Sequence, residues 1–354
     1  MARELIIDQY TINDENDCYV IAEIGHNHQG NIETAKEMFR SAMLCGVNAV
    51  KLQKRDNKSL FTKAMYNSPY ENENSFGPTY GLHREALEFG RPEYSELIAY
   101  AKQLGITLFA TAFDFNSADF LADLNMPAIK IASADLTNTP LLIHIARLQK
   151  PMILSTGGGT MTDVQRAYDA IMPINSQLAI LQCTAGYPVE PEDMNLRVIP
   201  ALREQFKDTV IGLSDHQSGI AMAAVAYTLG ARIVEKHFTL NRAWKGTDQA
   251  FSLEAPGLRR LVRDLKRARV AMGDGIKHVL PKEEKPMLKM QKKLVAARDV
   301  KSGQSLTMAD ICIKSPGVEG IPPYYLDSII GATVLRDIKE DDILMFDWFV
   351  IGKR

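Results

Sequence analysis

Eight short apolar or β-branched runs, most followed by a stretch of helical periodicity, constrain this chain more than any other feature. The runs are CYVIAEI (18–24), AVKLQ (49–53), TLFAT (107–111), AIKI (128–131), PMILS (151–155), LAILQ (178–182), TVIGL (209–213) and RIVEK (232–236). After the first, Ile32, Ala35, Met38, Phe39 and Ala42 recur at helical spacing and mark one apolar face. The segment 218–229 is apolar almost all round, which suits a helix pressed on a sheet, and Gly230 closes it. Strands buried on both faces read as continuous apolar runs, as several of these do. Eight βα units in about 280 residues have the size and rhythm of a TIM (β/α)8 barrel. A doubly wound open sheet is the alternative, weakened by the eightfold count and the missing GxGxxG fingerprint.

Two segments break the rhythm. Residues 54–90 are rich in Asn, Tyr, Glu, Ser and Gly, a loop length that points to a lid or binding role rather than an idle excursion. Near residue 278 the chain becomes charged and proline-bearing, and the last 60 or so residues show short strands, turns and a Gly-Ile-Pro-Pro corner. The expected organisation is therefore a barrel over 1–277, a linker over 278–292 and a small β-rich domain over 293–354.

Composition excludes several classes. A formal net charge of −2 offers nothing to nucleic acid or an anionic membrane. The first residues lack a signal-peptide h-region, and no apolar run approaches the roughly 20 residues of a membrane helix. Cys18, Cys45, Cys183 and Cys312 are scattered and suit reduced thiols, so a cytoplasmic protein is expected.

In a TIM barrel the reacting groups project from the C-terminal strand ends. There the sequence places Glu23, Lys51, Gln53, Thr111, Lys130, Ser133, Ser155, Thr184, Tyr187, Ser214, His216 and His237. Such groups are costly to bury without partners, so their convergence at one rim points to a ligand. Two lysines with several hydroxyls suit a compact anion such as phosphate or carboxylate, although a structural ion pair explains any single lysine equally well. His216 and His237 end neighbouring strands and could share a Mn²⁺- or Mg²⁺-like cation; spacing alone leaves a hydrogen-bonded core role open. Glu23 can serve as an acid or base, or can simply pair with a lysine. Glu235 is read as a group behind His237 or as an ion-pair partner, and His26 and His28 as solvated or loop-bracing. Asp248 and Lys245 lie on a loop over the rim. The glycine cluster at 155–160 lacks the Gly-Lys-Ser/Thr ending of a nucleotide loop.

AEIGHNHQG, KLQK, IKIAS, LSTGG, the LQCT..YP turn, LSDH, EKHFTL and KGTDQAFSLE follow one another in the order found in sialic acid synthases. With TYGLHREALEF in the long insert and an antifreeze-like C-terminal segment (a SAF domain), the whole chain resembles that family. The resemblance implies condensation of phosphoenolpyruvate with an N-acylated amino sugar. It implies that His216 and His237 hold a divalent metal (Mn²⁺, or Mg²⁺ or Co²⁺) and that Lys51, Thr111, Lys130, Ser133, Ser155 and Ser214 hold phosphoenolpyruvate. Glu23 is implied as the acid/base group, Gln53, Tyr187 and Asp248 as acceptor contacts, and a domain-swapped homodimer as the assembly. The chain has Ala185 where some bacterial members carry asparagine, and Ser315 where an arginine is common. The acceptor is therefore left open among N-acetylmannosamine, its 6-phosphate and a diacetamido sugar for legionaminic or pseudaminic acid. A Schiff-base pyruvate aldolase using Lys130 and a non-catalytic sugar-binding protein are the readings from other classes.

Overall fold

Every run expected to be a strand is one. The computed structural model describes residues 3–350, and the chain divides between Gly273 and Asp274 into two compact units. Among the described residues the first unit opens with a hairpin, β1 (Glu4–Ile7) and β2 (Tyr10–Asn13). Eight parallel strands follow: β3 (Tyr19–Gly25), β4 (Ala49–Lys54), β5 (Thr107–Ala112), β6 (Ile129–Ile131), β7 (Met152–Ser155), β8 (Leu178–Cys183), β9 (Val210–Asp215) and β10 (Ile233–His237). They pair in chain order and β10 returns to β3, closing a TIM-type barrel.

Closure gives each strand an inner and an outer face, with alternate residues on each. Val20, Ala22, Val50, Ile129, Leu154, Ile180, Ile211 and Val234 belong to the outer cluster, packed with the apolar stripes of the surrounding helices. Tyr19, Ile21, Ala49, Phe109, Ala128, Ile153, Leu181 and Ile233 fill the interior. Gly212 falls on the inner parity, where a Cβ would lie 2.5 Å from both the Ile233 carbonyl and Leu181. The space a side chain would need is already taken by Leu181.

The hairpin was not foreseen from the sequence. Its Leu5, Ile7 and Ile12 are fully buried against the first inward residues of the barrel strands, so it plugs that end. Asp14 locks the plug in place: Arg203 donates to both carboxylate oxygens (2.8 and 2.9 Å), and Arg232 approaches to 3.3 Å.

The insert after β4 is also more structured than its composition suggested. It holds three short helices, Asn57–Leu60, Lys63–Tyr66 and Tyr80–Glu85, each started by a side-chain cap from Asp56, Thr62 or Thr79. His83 is its buried centre: Nδ1 accepts from the Phe76 amide (3.0 Å), and Tyr70 packs 4.6 Å away.

The second unit, taken by itself, pairs β11 (Lys293–Ala296) with β12 (Ile311–Lys314) and β13 (Thr333–Val334) with β14 (Phe349–Val350), all antiparallel. Leu294, Leu306, Ile321, Ile338 and Leu344 form its core. The stretch expected as a linker is largely exposed and carries the helix Glu284–Met290. No described helix is long and apolar enough to cross a membrane.

Two outcomes follow for stability. Ile7→Ala removes a fully buried part of the plug and should cost about 2–5 kcal/mol, read as a lower urea midpoint. The hydrogen bonds from Arg203 hold Asp14 below its ordinary pKa of 3.8. A depressed carboxylate contributes stability above its unfolded pKa that is lost as pH falls through the folded one. Asp14→Asn should therefore destabilise at neutral pH and flatten the acid limb of the stability–pH curve below about pH 4.

Candidate active site

The inner parity that carries apolar side chains at the plugged end carries polar ones at the other. Glu23, Lys51, Gln53, Thr111, Lys130, Ser155, Ser214, Glu235 and His237 all continue inward-facing rows of their strands. With His216, Ser133, Tyr187 and Asp248 from the following loops, they line one cavity of about 620 Å³. The structure thus brings together all twelve residues for which the resemblance implies a role.

The floor of the cavity is a buried charge network. Lys51 Nζ lies 2.7 Å from Glu23 Oε2 and 3.6 Å from Glu235 Oε1, and donates to Thr111 Oγ1 at 2.8 Å. Lys130 Nζ lies 3.6 Å from the same Glu235 oxygen and donates to Ser155 Oγ at 2.6 Å. Of the two roles the sequence left open for Glu235, the structure shows the ion pair, with this carboxylate shared by both lysines. The signal was available, since it falls two residues before His237 and so shares its face.

Burial and pairing divide these groups. Burial opposes the charge on Glu235, but Lys130 and Lys51 outweigh it and leave its pKa lowered. Glu23 goes the other way: burial raises its pKa, reinforced by Glu235 and only partly offset by Lys51. Burial works against Lys51 too, yet Glu23 and Glu235 together raise it, whereas burial leaves Lys130 lowered. The site therefore holds a firm ammonium, a labile one, a firm carboxylate and one inclined to keep a proton. Gln53 donates to Glu23 Oε1 at 2.6 Å and orients that last group. Gly25, at φ +52° beside it, turns the chain out of β3 where a Cβ would press on both Glu23 and Gln53.

Beyond the hydroxyls of Ser155 and Ser214, Ser133 accepts from the Gly157 amide at 2.9 Å and sits 3.5 Å from Cys183 Sγ. Cys183 lines the cavity and was not singled out from the sequence. Burial would raise its thiol, but His216, Ser133 and Lys130 outweigh that and lower it.

The two imidazoles lie with ring centroids 5.4 Å apart, and the Tyr187 ring packs 4.2 Å from His216, tilted by 34°. His216 Nδ1 is 3.0 Å from the Thr184 carbonyl, which can only accept, so Nδ1 carries the proton and Nε2 keeps a free lone pair. His237 Nδ1 is buried without a hydrogen-bond partner, and Asp248 stands 3.7 Å away. Burial lowers the His237 pKa and favours the neutral, ligand-competent ring. Among the described residues no cluster of three or more His, Cys, Asp or Glu has metal-binding spacing. Two free imidazole nitrogens fit a divalent cation whose remaining positions are taken by substrate and water, not a structural zinc site.

Behind the imidazoles, on the outer face, Lys236 donates to Asp215 Oδ2 at 2.8 Å and to the Gln217 carbonyl. This fully buried pair ties together the chain on either side of His216 and the residue before His237. His26 and His28 are not solvated. Both are buried: His28 accepts from the Gly30 amide (3.0 Å) and stacks 4.1 Å from Phe89, and His26 lies between Arg55 and Arg84.

A TIM-type barrel whose mouth sets two lysines and a row of hydroxyls beside a pair of open imidazoles is the site of an enzyme that works on a small anionic substrate. The chain belongs to the NeuB family, whose model matches residues 38–277, and it is an enzyme of the sialic acid synthase type; a SAF domain matches residues 293–350. The N-acetylneuraminate-9-phosphate synthase of Mus musculus is 39% identical, over 94% of this chain and 93% of that protein. The N,N'-diacetyllegionaminic acid synthase of Campylobacter jejuni is 33% identical over 92% and 98%. The solved N-acetylneuraminic acid synthetase of Leptospira borgpetersenii superposes with a TM-score of 0.71 at 29% identity, covering 81% of this chain and 96% of that one.

Removing the shared carboxylate should expose its role. Glu235→Gln leaves Lys130 buried without a counter-charge and should destabilise by up to about 3–5 kcal/mol. Lys130 then binds its proton less well folded than unfolded, so stability rises with pH. The urea midpoint of the variant should recover between pH 7 and pH 9 more than that of the parent.

Proposed function

We infer that this enzyme condenses phosphoenolpyruvate with N-acetylmannosamine or its 6-phosphate, giving N-acetylneuraminate or its 9-phosphate and inorganic phosphate. The observation that carries the reading is the juxtaposition, in one cavity, of a lysine–hydroxyl anion set with two free imidazole nitrogens and a proton-retaining carboxylate.

Lys51, Lys130, Thr111, Ser133, Ser155 and Ser214 hold the phosphate and carboxylate of phosphoenolpyruvate, charge-assisted bonds that a dianion strengthens. Lys130, the labile ammonium, is fixed in its charged form by that ligand. His216 and His237 would hold a divalent metal, Mn²⁺ foremost, which would supply Lewis-acid polarisation of a carbonyl oxygen. Gln53, Tyr187 and Asp248 position the acceptor. Carbon 3 of the enol attacks the aldehyde carbon, and Glu23 delivers a proton to the oxygen that becomes a hydroxyl. Water then adds at carbon 2, giving up one proton to the Glu23 carboxylate, and phosphate leaves with cleavage of its C–O bond, carrying off the remaining hydroxyl proton as the carbonyl forms. Lys51 and Lys130 remain beside the developing charge throughout. The reading includes a domain-swapped homodimer, supported by the family resemblance, and a cytoplasmic location, supported by the four free cysteines.

The test is phosphate release from phosphoenolpyruvate with Mn²⁺ and each acceptor in turn. Acceptor-dependent release abolished by a chelator is expected, with Glu23→Gln slowed about 10²–10⁴-fold and His237→Ala inactive. Absence of release with every acceptor would remove the assigned reaction. Borohydride trapping of pyruvate on Lys130 would replace it with Schiff-base chemistry.

A further inference from the structure

The insert brings two guanidiniums to the site that the steps above do not use. Arg84, on the helix Tyr80–Glu85, lines the cavity. Among the described residues its nitrogens meet the Tyr80 hydroxyl (3.2 and 3.0 Å) and His26 Nδ1 (3.2 Å), and no carboxylate. Arg55 is buried, stacked 3.7 Å from the Phe113 ring, with one nitrogen 3.2 Å from His26 Nε2 and another donating to Gln53 Oε1 at 2.7 Å. Its nearest carboxylate, Glu88, is 3.8 Å away and shared with Lys54.

His26 thus stands between two cations. Burial, helped by both guanidiniums, holds its pKa well below the ordinary value, so the ring is neutral. A neutral imidazole has one acceptor nitrogen and can satisfy one arginine; the other faces an N–H. Glu88 Oε1 lies 3.5 Å from His26 Nε2 and 3.8 Å from Arg55, so Arg55 has a carboxylate beside it, whereas among the described residues Arg84 has no ion-pair partner. The contacts Arg55–Gln53, Gln53–Glu23 and Glu23–Lys51 run in series, so this pair lies on the far side of Glu23 from the lysine set. Thr247, whose hydroxyl donates to Asp248 at 3.0 Å, lines the same cavity, and Asp248 itself faces His237.

We propose that Arg84, backed by Arg55, is a second anion subsite that takes a phosphate monoester at the end of the acceptor sugar remote from its aldehyde. The substrate is then the 6-phosphate of the N-acylated hexosamine, and Arg84 determines that choice. This rests on the synthase reading above. A sugar whose aldehyde lies by Glu23 and the imidazoles extends along the cavity towards the insert, and its phosphate meets the Arg84 N–H groups that Tyr80 and His26 leave unused. Arg55 keeps its bond to Gln53, which ties the subsite to the group that orients Glu23.

The test uses alditols, which have no aldehyde and cannot turn over. N-Acetylmannosaminitol and its 6-phosphate are titrated calorimetrically into the full-length protein and into Arg84→Ala and Arg84→Lys. The parent should bind the phosphorylated alditol at least about tenfold more tightly, as charge-assisted bonds to phosphate require. Arg84→Ala should erase most of that preference and Arg84→Lys should keep part of it. In turnover the KM for the phosphorylated acceptor should rise with Arg84→Ala far more than that for phosphoenolpyruvate. Equal binding of the two alditols by the parent, or a preference that survives in Arg84→Ala, overturns the subsite. Failure of the synthase reading shows separately, as absence of phosphate release with any acceptor, while the alditol titration still decides the subsite.

Discussion

Closing eight parallel strands leaves one side of every strand facing a space that water cannot fill along its whole length, and the site depends on how that space is occupied. At the plugged end the inner positions are Tyr19, Ile21, Phe109, Ile153 and Ile233, with Leu5, Ile7 and Ile12 of the hairpin beneath them. Two residues further along the same rows come Glu23, Thr111, Ser155 and Glu235. The apolar layers hold the strand ends rigidly, and rigid strand ends fix where charges sit. The chemistry is thus built on the packing below it, through a period of two.

Placing two lysines and two glutamates in such a space is affordable only as a network. Each ion removed from water costs several kcal/mol, and pairing repays this only where the geometry is close. Here Glu235 serves two lysines and Lys51 serves two carboxylates, so only the two ends of this chain of charges, Glu23 and Lys130, rely on a single charged partner. The asymmetry separates the functions. The two carboxylates raise the Lys51 pKa against the effect of burial, whereas burial lowers that of Lys130 and raises that of Glu23. A ligand with a phosphate and a carboxylate completes the set of counter-charges, and a reaction that moves one proton finds a group prepared to move it. The Lys236–Asp215 pair uses the same physics on the outer face, where it serves to hold the imidazoles rather than to meet substrate.

The eight strands, their order and the inward residues at their ends were legible because a parallel strand buried on both faces has to be written as a continuous apolar run, and polar residues at its end then stand out. Lys51, Lys130, Ser155 and His237 were visible for that reason. The hairpin was not, because two four-residue strands with one buried face are too short to separate from a polar terminus. Arg55, Arg84 and the buried His26 were missed for a related reason. The two arginines lie in an insert whose fold depends on Tyr70, Phe76 and His83 packing together, which no period in the sequence marks, and His26, in the loop after β3, lies between those arginines.

The sequence by itself determined the barrel, the C-terminal strand-end location of the site and the chemical types gathered there, since periodicity and residue type are local properties of the chain. Only the tertiary structure decided which carboxylate the lysines share, which imidazole nitrogens are free, and that two guanidiniums from the insert reach the same cavity. Those outcomes depend on distances between residues far apart in the chain. They follow from barrel closure, which brings Glu235 within 3.6 Å of both Lys51 and Lys130 and makes pKa and hydrogen-bonding capacity properties of the assembled site.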